Sequence, residues 1–87
     1  MKPSIGRIVH YVSYGTPGGE YISQCRAAII AGLDEHPEDN EPGEVFASLV
    51  VLNPTGMFFN QLCMQDETEN VGGTWHWPER VEEEPLA

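Results

Sequence analysis

Basic residues are scarce: four Lys and Arg stand against fourteen Asp and Glu in 87 residues, a formal net charge of −10. A chain this acidic is repelled by phosphate, which excludes general DNA or RNA binding and disfavours anionic membrane surfaces. Cysteine is nearly as rare. Cys25 and Cys63 are too few for a disulfide-dense secreted scaffold, and their apolar neighbours mark both as reduced, at least partly buried thiols, with a bridge between them left open. No apolar run approaches the length of a membrane span. The opening Met-Lys-Pro-Ser-Ile-Gly has no apolar h-region, so no secretory leader is expected. The expected place is the cytoplasm of the cell that makes the protein, or a particle into which it is packaged. A 3.6-residue hydrophobic period is also missing. What remains, 40% hydrophobic residues in β-branched and aromatic runs parted by Gly and Pro, describes one small β domain.

The strongest local signal is the stretch 49–59, LVVLNPTGMFF. Pro54 presets the backbone for the second position of a type I turn, Asn53 suits the first, and Gly56 can take the left-handed conformation that closes a bulged hairpin. Strands are expected over 5–12 (IGRIVHYV), 24–33 (QCRAAIIAGL, with a short helix as the competing reading), 44–52 (EVFASLVVL), 57–64 (MFFNQLCM) and 74–78 (TWHWP). Pro78 makes the last an edge strand or ends it. Between the first two runs lies a Gly-rich loop, 13–23, carrying Tyr14 and Tyr21. Residues 34–43, with five acidic residues and two prolines, read as an exposed loop.

This pattern predicts an all-β fold, a small five-stranded, partly open barrel of SH3-like layout, with an OB-like barrel as the nearest alternative. The domain is expected over 1–80, followed by an acidic flexible tail at 81–87. The expected core is Ile8, Val9, Ala28, Ile30, Phe46, Leu49, Val51, Phe59 and Trp75.

Four segments, SIGRIVHYVSYGTPGGEY, CRAAI, VLNPTGMFFNQ and GGTWHWPER, together resemble a family of short proteins encoded by phages of actinobacteria and by some Streptomyces genomes. The resemblance runs from Ser4 to about Arg80, with the acidic loop as its variable part. It implies a phage or phage-derived context, hence the cytoplasm of an infected host or the virion, and carries over no catalytic, cofactor or binding residue.

No constellation specifies a reaction. Ser13, Ser23 and Ser48 lack a nucleophile-elbow context, Cys63 lacks a base, and the Pro-Gly-Gly of the first loop has neither the lysine nor the helix of a phosphate cradle. His10, Cys25, Cys63 and His76 could in principle supply four metal ligands. They show no Cys-x-x-Cys or His-x-x-x-His spacing, so scattered structural residues, with neither metal nor cofactor, are the expectation. His36 reads as solvated. The weightiest set is aromatic: Tyr11, Tyr14, Tyr21, Trp75 and Trp77 come from segments that neighbour one another in an SH3-like barrel, with Arg26 close by. The expectation is a non-enzymatic module that binds a host or virion protein or self-associates, with a virion accessory role as a special case. The alternative is a binder of a small anionic ligand, such as a nucleotide-like host defence signal stacked between rings and met by Arg7, Arg26 or Arg80.

Overall fold

The computed structural model describes residues 2–15 and 24–79. Tyr21 and the expected tail at 81–87 lie outside them. Five strands follow in chain order: β1 (Ile8–Val12), β2 (Cys25–Leu33), β3 (Phe46–Asn53), β4 (Gly56–Met64) and β5 (Trp75–His76). The stretch expected over 24–33 is a strand from Cys25, as its isoleucines favour. All neighbours are antiparallel, in the order β4-β3-β2-β1-β5.

The expected barrel, SH3-like or otherwise, is not what forms. β4 and β5 lie at opposite edges of one open sheet. The sheet curls until the chain just beyond β4 touches β5, where the Asp66 N–H donates to the Trp75 carbonyl at 2.8 Å beside a lone parallel bridge between Gln65 and Trp75. A two-residue β5 offers too few backbone groups to extend that bridge into a ladder, so the edge of β4 stays open. Closure needs strands of matched length and stagger, and here the last is too short.

The hairpin forms where expected but turns differently. Asn53 pairs directly with Gly56 across Pro54-Thr55, and Gly56 does not adopt a positive φ. The irregularity sits further along. Between Ala47 and Leu49 the partner strand carries one extra residue, and Leu62 there takes φ 47°. Its N–H donates to Ser48 Oγ at 3.2 Å. A second bulge in β2, between Ile30 and Gly32, faces the same Ser48. The two bulges bend the sheet around this point and produce its curl.

The concave side of that curl holds the core: Val9, Tyr11, Ala28, Ile30, Ala47, Leu49, Val51, Cys63 and Trp75. The expectation held for Val9, Ala28, Ile30, Leu49, Val51 and Trp75. Phe46 is only half-buried, while Ile8 (62% exposed) and Phe59 (75% exposed) lie on the convex side. Residues 5–7 do not join β1. They form a turn at Gly6 (φ 93°), with the Arg7 N–H donated to the Ser4 carbonyl.

Two carboxylates organise the loops. Asp34 accepts the His36 N–H at 3.0 Å and the Asn40 side-chain amide at 2.6 Å, so the acidic stretch folds over one 3₁₀ turn, Pro37–Asp39. Asp66 accepts the backbone N–H groups of Thr68, Glu69 and Val71 at 3.0–3.2 Å. Those bonds, Glu69 first, hold the Asp66 carboxyl below the usual range, and the Asn40 and His36 bonds do the same for Asp34. A depressed carboxylate contributes stability that is present above its unfolded pKa and is lost as pH falls through its folded one. Thermal melts should therefore show stability declining below roughly pH 4, with a shallower acid limb for Asp66→Asn. Parallel acid limbs in the two proteins would contradict this assignment.

Candidate functional site

In a sheet, residues directly opposite one another share a face. Ile8 pairs with Ile29, Ile29 with Val50, and Val50 with Phe59, so four apolar side chains form a row across the convex side of four strands. Beside it, Leu52 pairs with Met57, which is also exposed. Charge is almost absent from the whole sheet. Among the described residues every acidic residue lies outside the five strands, and Arg26 is the only charged residue within them. The outer edge of β4 is nine residues long with no charge and no proline, the devices by which sheets usually block edge pairing.

Continuing toward the other edge, the same convex side becomes polar. His10 pairs with His76 across β1 and β5, and Val12 with Cys25 across β1 and β2, so both histidines and Cys25 share this side. The imidazoles stand edge-to-face with centroids 5.5 Å apart. The chain leaves β5 through Trp77-Pro78 and returns Glu79 over the pair. Its carboxylate meets His10 Nδ1 at 2.8 Å and His76 Nε2 at 2.6 Å, and Cys25 Sγ lies 3.8 Å from the same His76 nitrogen. One potential ligand atom from each of His10, Cys25, His76 and Glu79 thus falls within 4.8 Å of every other. His76 is 2% exposed, and its Nδ1 has no hydrogen-bond partner among the described residues. The Glu79 carboxyl is held below the usual range by its own backbone N–H first and then by the two histidines, while burial, with Glu79 nearby, raises the Cys25 thiol.

The expectation that the histidines and cysteines stay scattered is overturned for His10, Cys25 and His76. Cys63 does stand apart: it is in the concave core, pushed up by burial, and both thiols are free. Compared with protein-family models, with curated proteins and with solved structures, the chain matches none. Its own geometry is therefore what speaks for its chemistry.

The aromatic set divides. Tyr11 and Trp75 are core, and Trp77 packs edge-to-face on Trp75 with centroids 5.4 Å apart. Tyr14 is exposed, and its ring lies against Gly72 and Gly73. A Cβ at Gly72 would come within 2.9 Å of the ring, and one at Gly73 (φ 87°) would overlap the phenol oxygen. Tyr11, Tyr14 and Arg26 meet around an open cavity of about 270 Å³ on the concave side, with Ser13, Asn53 and Phe58. Neither tryptophan lines it. Burial, with smaller contributions from Cys63 and Tyr14, raises the Tyr11 hydroxyl.

Glu79 is the member of the cluster that sequence reasoning missed. Its signal was the spacing His76-x-x-Glu79 across a proline, which becomes informative only once β1 is known to pair with β5.

Proposed function

We propose that this protein is a non-enzymatic interaction module that seats a second protein surface on the convex side of its sheet and the open edge of β4. The observation that carries the reading is the in-register row Ile8–Ile29–Val50–Phe59, apolar and outward-facing, in a sheet that holds no acidic residue among those described. An apolar centre with a charged surround is the anatomy of a protein interface. An unblocked edge of nine residues adds backbone N–H and C=O groups that a partner strand can pair. The resemblance to phage-encoded proteins favours a host or virion protein as partner, and a second copy of the chain satisfies the same surface. A basic rim on the partner would suit a net charge of −10.

The test is site-specific photo-crosslinking in the cells that make the protein. A benzophenone side chain replaces Met57, exposed and next to Phe59 on the same side, or Glu67 as an exposed control outside the sheet. The expected result is a discrete adduct from position 57 only. No adduct from position 57, or the same adducts from both, would remove the reading.

A further inference from the structure

We propose that His10, Cys25, His76 and Glu79 form a zinc site that clamps the short β5 edge to β1 and β2. The donor set is a thiolate, a carboxylate and two imidazoles. Its two negative charges balance Zn²⁺, and the mixture of S, N and O donors suits a borderline-soft ion. Four protein ligands leave no open position, so the site is structural rather than catalytic.

The distances support the assignment. With Zn–N near about 2.0–2.1 Å and Zn–S near about 2.3 Å, tetrahedral ligand–ligand edges are about 3.3–3.6 Å. Cys25 Sγ already stands 3.8 Å from His76 Nε2. The Glu79 oxygens sit closer to the two ring nitrogens, at 2.6 and 2.8 Å, as hydrogen bonds require. Opening those two gaps takes well under about 1 Å of movement. Glu79 can supply it, because its side chain is half-exposed and follows the last strand. The remaining ligand pairs lie within 4.8 Å of one another.

A second observation points the same way. His76 is almost fully buried, yet its Nε2 is held against a carboxylate at 2.6 Å and a thiol at 3.8 Å. Coordination gives a use to a buried ring nitrogen placed between two potential anionic donors. The site also meets a need of the fold. β5 contributes two residues to the sheet, and a metal bound by β1, β2, β5 and Glu79, three residues beyond β5, ties that edge down. Binding free energy of this kind is folding free energy.

The experiment uses the full chain, stripped with a chelator and titrated with Zn²⁺ alone, then with Co²⁺ as a spectroscopic probe. The expected result is one Zn²⁺ per chain, a rise in melting temperature on loading, and a Co²⁺ form with tetrahedral ligand-field absorption plus a thiolate-to-cobalt charge-transfer band. Cys25→Ser should remove the charge-transfer band and Cys63→Ser should keep it. His10→Ala, at a half-buried position that tolerates truncation, should weaken Zn²⁺ binding by about tenfold or more. The proposal is overturned by no saturable binding, by one ion per two chains, by a charge-transfer band that follows Cys63, or by unchanged affinity in His10→Ala. None of these outcomes depends on whether position 57 finds a protein partner.

Discussion

Trp75→Ala is expected to leave the chain largely unfolded at room temperature. Trp75 is 0% exposed and is the largest of the fully buried side chains. It pairs with Tyr11 across the sheet, packs edge-to-face on Trp77, and its carbonyl takes the Asp66 N–H where the curl comes nearest to closing. Truncating a buried tryptophan costs about 3–5 kcal/mol, the lost transfer energy plus the cavity left behind. Small domains hold only about 5–15 kcal/mol in total, and a chain of this size belongs near the low end. Trp75→Phe separates packing from polar effects. The indole N–H is buried with no partner among the described residues, so phenylalanine keeps most of the ring and discards an unsatisfied donor. It should cost far less than alanine. Urea denaturation of the three proteins checks both statements, and an alanine midpoint close to wild type would show that the core does not rest on this residue.

The strands and the hairpin were legible because their signals are local. Runs of β-branched residues between Gly and Pro clusters located all five strands, and Asn-Pro-Thr-Gly marked the turn. Which side of a strand faces inward was less legible wherever both sides are apolar. In IVHYV, alternation offers Ile8 and Val12 on one side against Val9 and Tyr11 on the other. Only the curl of the whole sheet decides for Val9 and Tyr11. Phe58-Phe59 poses the same ambiguity on β4, and Phe59 faces outward. The curl depends on two bulges flanking Ser48, one of them at Leu62 in a conformation that leucine seldom adopts. No residue preference announces that bulge. The metal cluster is long-range information of the same kind. His10 and His76 are 66 positions apart in sequence and meet only because β5 pairs with β1. Placing the first and last strands side by side was already implied by the expected layout, so the histidine pair could have been read from it. Adding Cys25 needed the register of β2, and Glu79 needed the path of the chain beyond Pro78.

That register also decides where a substitution on the outer face should act. Phe59→Glu is expected to abolish the adduct formed through position 57 while leaving the melting temperature within a few degrees of wild type. Phe59 is 75% exposed, so the unbound domain gains little from it, and a strand-propensity change costs at most about 1 kcal/mol. In a complex the same ring lies between the four-strand apolar row and the open edge of β4, and loss of an aromatic anchor typically costs about 2–4 kcal/mol. That corresponds to roughly 30- to 1,000-fold weaker binding. A carboxylate adds desolvation to the loss of contact. Leu49→Ala, in the concave core, should do the reverse: a fall in stability of about 2–5 kcal/mol, with binding weakened only in proportion to the unfolded fraction. Two variants on opposite faces of neighbouring strands thus separate folding from recognition. If Phe59→Glu lowered stability as much as Leu49→Ala, the convex row would belong to the core of a differently closed fold. If it left the adduct intact, the partner would be meeting the edge of β4 alone.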